Sequence, residues 1–155
     1  MQQLSSGYGF TCVRNGVGVV SCWGDGTRGQ LGDGLATSGP SPGPVTSLSD
    51  AVDIASEDAL TCAVRRGGSV VCWGNGYVGG GAGYALFTTP STASNLTDAV
   101  QVSVSTPNDG VHTGTSACAV RRAGGVVCWG ENFSGQLGDD SMMTRTVPTP
   151  VLGLP

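Results

Sequence analysis

Lysine is missing from all 155 residues, and the seven cationic side chains are arginines: Arg14, Arg28, Arg65, Arg66, Arg121, Arg122 and Arg145. Histidine occurs once, as His112, and charged residues make up only 12% of a chain whose net charge is -4. These shortages exclude whole classes of function. Nucleic-acid affinity rests on basic groups that displace counterions from phosphates, and an acidic chain with few cations does not supply them. The pairs Arg65-Arg66 and Arg121-Arg122 each precede a glycine-containing turn and read as solvated hairpin tips. His112 lies near Asp109 in a loop-like stretch. That proximity does not make a Ser-His-Asp set, which needs a positioned base and an orienting acid. No enzyme, no cofactor and no metal site is expected. Asp139-Asp140 matches Asp33-Gly34 in an earlier loop and reads as turn chemistry rather than as a cation site.

Long apolar runs are lacking too. None approaches the roughly 20 residues of a membrane helix, so no membrane span is expected. The opening "MQQLSSGYGF" has neither the basic nor the apolar region of a signal peptide. No segment shows a convincing 3.6-residue apolar period, and with 27 glycines the composition favours strands and tight turns.

What is present is a repeat. Cys22-Trp23-Gly24, Cys72-Trp73-Gly74 and Cys128-Trp129-Gly130 are spaced by 50 and 56 residues. A period of this size points to a solenoid, propeller or array. Within each period "QQLSS", "AVDIAS" and "AVQVSVS" read as a first strand, and "FTCVR", "LTCAVRR" and "SACAVRR" as a second. "GVVSCW", "SVVCW" and "GVVCW" read as a third, and a looser fourth is placed on "PGPVTSL", "STASNL" and "PTPVLGL". Short valine-rich pieces bounded by Gly, Asn, Asp and Pro are the strand and turn signature. Four antiparallel strands per unit predict an all-β fold of three propeller blades. The chain is read as one repeat domain over 1–155, with repeats near 1–49, 50–97 and 98–155.

Six cysteines fall as Cys12/Cys22, Cys62/Cys72 and Cys118/Cys128, ten residues apart within each pair. The members of a pair sit equally far from a hairpin turn, so they face each other at a distance that a disulfide accepts. Three cross-strand disulfides are expected, each contributing about 2 to 3 kcal/mol for so short a loop. Zinc ligation, which uses closer cysteine pairs and often histidine, and free buried cysteines are the competing readings.

The loop after each tryptophan carries "GDGTRGQLGDG", "GNGYVGGGAGY" or "GENFSGQLGDD". No Lys-Ser/Thr follows and no helix opens behind these glycines, so they read as turns rather than as a phosphate cradle. Gly24, Gly29, Gln30, Leu31, Gly32 and Asp33 form one copy of this turn motif. Gly130, Gly135, Gln136, Leu137, Gly138 and Asp139 form another. The middle repeat retains Gly74 and reads as having lost the Gln-Leu-Gly core at Gly80-Gly81-Ala82. The glycan-acceptor patterns at Asn95 and Asn132 are short enough to arise by chance.

Trp-Gly followed by Gly-Gln-Leu-Gly-Asp and a proline-rich return resembles the repeat of the regulator of chromosome condensation family. It is similar in particular to a cysteine-paired bacterial branch of that family. The resemblance covers nearly the whole chain and implies a β-propeller with Trp23, Trp73 and Trp129 packing blade on blade. Members of the family commonly close seven blades and bind proteins. They include an exchange factor for a small GTPase and a secreted inhibitor of β-lactamase. The histidine that members often carry before the second strand is absent, and the connection 105–117 is longer than its counterpart.

Three blades of such a ring leave two broad apolar faces open. The expected partner is a second copy, joined head to tail through Leu4, Val151 and Leu154, closing as a ring or running on as a filament; the alternative is a partial propeller that forms part of a larger one. The expected function is a non-enzymatic binding or structural scaffold, extracellular or at the cell surface. The alternatives are an extracellular filament subunit and a regulator or inhibitor that binds another protein through its loops.

Overall fold

The computed structural model describes residues 2–106 and 114–154. His112, Asp109 and most of the connection 105–117 lie outside the described residues. Among the described residues twelve strands make three four-stranded antiparallel sheets, here called blades 1, 2 and 3.

Blade 1 contains β1 (Gln3–Gly7), β2 (Phe10–Arg14), β3 (Val20–Gly24) and β4 (Gly39–Pro44). Blade 2 contains β5 (Ala51–Glu57), β6 (Leu60–Arg65), β7 (Val70–Gly76) and β8 (Ala85–Thr92). Blade 3 contains β9 (Ala99–Ser105), β10 (Ser116–Arg121), β11 (Val126–Gly130) and β12 (Arg145–Pro150). Strands pair in chain order within every blade.

The middle hairpins form where the valine and cysteine alternation is strongest. In blade 1, Asn15 closes the turn by accepting from the backbone N–H groups of Val17, Gly18 and Val19 at 3.0 to 3.1 Å. Cys12 stands opposite Cys22, Cys62 opposite Cys72, and Cys118 opposite Cys128. Each pair is a disulfide with its Cα atoms 4.1 Å apart.

Alternate residues then point to opposite faces of a blade. Each blade has a front face toward the next blade and a back face toward the previous one. The front of blade 1 (Phe10, Cys12, Val20, Cys22) packs on the back of blade 2 (Ile54, Ala63, Val71, Trp73). The front of blade 2 (Leu60, Cys62, Val64, Val70) packs in the same way on the back of blade 3 (Val102, Ala119, Val127, Trp129). The apolar core therefore lies between blades, with the disulfides on the front faces.

Two sequence expectations shift. The fourth strands lie several residues earlier than "PGPVTSL", "STASNL" and "PTPVLGL" suggest. They are edge strands, the one place where prolines such as Pro42, Pro90 and Pro148 are tolerated, because no ladder bond is lost there. The apolar residues after them, Val45, Leu48, Ala93 and Leu96, turn inward as core plugs. The first arginine of each pair is not a free hairpin tip. Arg65 Nε meets Asp50 Oδ1 at 2.8 Å and Arg121 Nε meets Asp98 Oδ1 at 2.9 Å, tying each hairpin to the residue before its blade's innermost strand. Pairs this open to solvent are screened and add little to stability.

Candidate functional site at the blade boundaries

One contact is built twice. The buried Trp73 of blade 2 donates its indole N–H to the Gln30 carbonyl oxygen in the blade 1 loop, at 3.0 Å. Trp129 of blade 3 donates to the Tyr77 carbonyl oxygen in the blade 2 loop, at 3.1 Å. A buried indole needs such an acceptor, since an unpaired N–H carries its full desolvation penalty.

The loops are shaped to receive the ring. At Gly32 (φ +67°) an added Cβ would stand 2.7 Å from the Trp73 indole, and at Gly79 (φ +82°) 3.0 Å from Trp129 Nε1. Only glycine combines this backbone with so close an approach. Neighbouring backbone bonds repeat as well, Gly34 N–H to the Thr88 oxygen and Gly81 N–H to the Thr146 oxygen, both at 2.9 Å.

This geometry corrects the reading of the middle repeat. Thr46, Ser94 and Leu152 donate their N–H groups to the carbonyl oxygens of Gly32, Gly79 and Gly138, which makes those three glycines equivalent. Tyr77-Val78-Gly79 is therefore the counterpart of Gln30-Leu31-Gly32 and Gln136-Leu137-Gly138, in a shorter loop. Gly80-Gly81-Ala82 is not. The group that receives the indole at the first position is a backbone carbonyl, which a tyrosine supplies as a glutamine does, while the Gln30 and Gln136 side chains also accept the N–H groups of Arg28 and Ser134.

The same elements have unfilled halves at each end. Trp23 has no loop beneath it among the described residues and is only half-buried. The third loop has no indole above it, and Gln136 is exposed where Gln30 is buried. A groove of about 790 Å³ opens there between Gly135, Gly138, Met142 and Leu152. Leu154 is 50% exposed, whereas its counterparts Leu48 and Leu96 are 3% and 2% exposed. On the front of blade 3, Val120, Val126 and Val151 lie open or half-open in the register that blade 2 fills with the buried Val64, Val70 and Ala93. On the back of blade 1, Leu4 is exposed where Ile54 and Val102 are buried. Ser21 stands there in place of Val71 and Val127.

The turn residues keep to local work. Asp33 accepts from Leu35 N–H at 2.9 Å. Asp139 spends both carboxylate oxygens on turn partners, taking Ser141 Oγ at 2.7 Å, Asn132 Nδ2 at 3.0 Å and Arg145 Nε at 2.6 Å. The Ser141 hydroxyl first and Arg145 second hold its carboxyl at about 2, below the ordinary aspartate value. Asn132 is fully buried, so its side chain is closed to a glycan, while Asn95 is an exposed turn residue at φ +57° in the register of Ser47 and Gly153. Among the described residues no three metal-ligating side chains converge. Among the same residues no helix is long and apolar enough to cross a membrane.

Residues 18–64 match the regulator of chromosome condensation (RCC1) repeat. The human protein named probable E3 ubiquitin-protein ligase HERC6 is 34% identical over 127 residues, which are 77% of this chain and 12% of that protein. Crystallised human WBSCR16 superposes with a TM-score of 0.78 at 20% identity, over 96% of this chain and 37% of that one. Yeast RCC1 (Prp20), solved bound to Kap60, gives 0.55 at 18% identity over 96% of this chain and 48% of its own. The chain thus spans less than half the length of each of these proteins. On the repeat match over residues 18–64 and the 34% identity over 127 residues, the chain belongs to the RCC1 repeat family.

Proposed function

We propose that the protein is a non-enzymatic protein-binding scaffold, a three-blade propeller unit that joins copies of itself head to tail through its end blades. One observation carries this reading. The tryptophan-over-glycine contact is completed at both internal boundaries and left half-made on the back of blade 1 and the front of blade 3. The two half-contacts are complementary to each other and not to themselves, so the association is heterologous. It closes where the turn per blade allows, two copies giving a six-bladed ring within the usual propeller range, and otherwise extends as a filament. Disulfides in all three hairpins support an extracellular or cell-surface setting. Leu4, Val151 and Leu154 belong to this self-association surface.

A second reading, regulation of a partner protein through the loops, is favoured by the solved neighbours, since yeast RCC1 is seen bound to Kap60. Light scattering on the purified, oxidised chain separates the two. Self-association gives masses at multiples of the protomer that grow with concentration. A protomer mass throughout the micromolar range overturns it and leaves partner binding as the function.

A further inference from the structure

Gln3 is the side chain by which blade 1 grips the innermost strand of blade 2. Its amide nitrogen donates to the Ile54 carbonyl oxygen at 3.0 Å and to Asp53 Oδ1 at 2.7 Å. Its amide oxygen accepts from Ile54 N–H at 3.1 Å. One primary amide thus satisfies both the donor and the acceptor of a residue on the free edge of β5, as a paired strand would. Asp53 passes part of the arrangement on, its Oδ2 accepting from Val102 N–H on β9 at 2.8 Å.

The register extends this series in both directions. Ser5 faces Cys12, Ala55 faces Cys62, and Ser103 faces Cys118. Counting two residues back places Gln3, Asp53 and Gln101 at one position, with Leu4, Ile54 and Val102 at the next. Gln101 therefore presents, on the front of blade 3, the amide that Gln3 uses on the front of blade 1. It is exposed, and its side chain has no hydrogen-bond partner among the described residues. Leu4 is the matching target. It sits on the edge strand β1, its N–H and C=O in the outward register of Ile54, and its side chain is 67% exposed.

We infer that Gln101 is a recognition residue for a second copy of this chain, its amide clamping the backbone N–H and C=O of Leu4 in that copy as Gln3 clamps Ile54. This rests on the head-to-tail reading above and names the group that sets its register. The surroundings agree. Docking in this register lays Leu4 and Trp23 of the second copy toward Val120, Val126 and Leu154 of the first. It brings the Trp23 indole N–H to the Gln136 carbonyl and the Asp140 N–H to the Pro40 carbonyl, which proline retains. A neutral amide also fits this seam better than the carboxylate of Asp53. It supplies a donor for the Leu4 carbonyl and buries no charge.

Sedimentation equilibrium on the wild type, Gln101→Ala, Gln101→Glu and the outer-strand control Ser41→Ala tests the clamp. Gln101→Ala is expected to raise the association Kd about tenfold to thirtyfold, the effect of two neutral hydrogen bonds. Its urea midpoint under monomeric conditions stays unchanged. Gln101→Glu keeps an acceptor for the Leu4 N–H and falls between the two, and Ser41→Ala matches the wild type. Leu4→Pro removes the N–H and is expected to be non-additive with Gln101→Ala. A wild type that associates while Gln101→Ala associates equally well overturns the clamp and leaves head-to-tail assembly standing. A wild type that stays monomeric overturns both.

Discussion

The indole N–H of Trp73 meets the carbonyl oxygen of Gln30 at 3.0 Å, and this hydrogen bond crosses from one blade to the next. Blades 1 and 2 are consequently held by a polar bond inside an apolar boundary, where its geometry fixes how one sheet sits on the other. Trp129 repeats the bond one boundary later, so two of three chemically identical tryptophans have complete sites.

Substitution of the three tryptophans should separate them. Trp73→Ala and Trp129→Ala each empty a fully buried site and are expected to cost about 3 to 5 kcal/mol. Trp23→Ala, half-buried in the protomer, is expected to cost less than half as much and to weaken association instead. Urea unfolding at a concentration low enough to keep the chain monomeric measures the first effect. Light scattering measures the second.

Gly32 and Gly138 make a similar comparison. Alanine at Gly32 meets both the left-handed backbone and the Trp73 ring, and an expected loss of about 2 to 4 kcal/mol follows from strain plus overpacking. Alanine at Gly138 meets the same backbone demand and the Val151 methyl at 2.9 Å, but no indole. Its protomer is expected to be the more stable of the two variants in thermal denaturation, with its defect appearing in assembly.

The disulfides predict a simple mass. Non-reducing intact-mass measurement is expected to fall short of the full-thiol value by six hydrogens, matching the three bridges. Replacing Cys62 and Cys72 together by serine removes a bridge from the middle blade. The expected loss is about 2 to 3 kcal/mol from chain entropy, plus the cost of burying two hydroxyls.

Asp139 gives the chain an acid-sensitive bond. Its folded-state carboxyl, at about 2, lies below the roughly 3.9 of an unfolded aspartate. A depressed carboxyl contributes stability that is complete above the unfolded value and is lost as pH falls through the folded one. Asp98, lowered by the Arg121 hydrogen bond, acts in the same direction. Wild-type stability is therefore expected to fall between about pH 4 and pH 2. Asp139→Asn should be less stable at neutral pH and show a shallower fall in that window, read from thermal midpoints across pH.

The middle hairpins were legible because two strong local signals coincide there, an alternation of valine and cysteine and a fixed cysteine spacing. The fourth strands were not, because an edge strand such as Gly39–Pro44 buries little and need not alternate, and the apolar signal falls instead on the plugs Val45 and Leu48. The Tyr77-Val78-Gly79 loop escapes the Gln-Leu-Gly pattern for a related reason. Its contact with the indole is carried by a carbonyl and a glycine, whereas the glutamine side chain of the other two copies serves the loop's own N–H groups. The Gln3–Ile54 clamp joins residues fifty-one apart, and nothing local announces it. The one signal available was a polar residue, Gln3, Asp53 and Gln101, standing before an apolar one at the same place in every repeat.

The most direct measurement mixes two variants, each blocked on one face. Leu154→Arg closes the front of blade 3, and Leu4→Arg closes the back of blade 1. Sedimentation velocity is expected to show each variant alone as a monomer and the equimolar mixture as a discrete heterodimer, since one open front remains to meet one open back. A mixture that stays monomeric while the wild type associates, or a single variant that still forms large assemblies, would contradict a head-to-tail contact between blade 3 and blade 1.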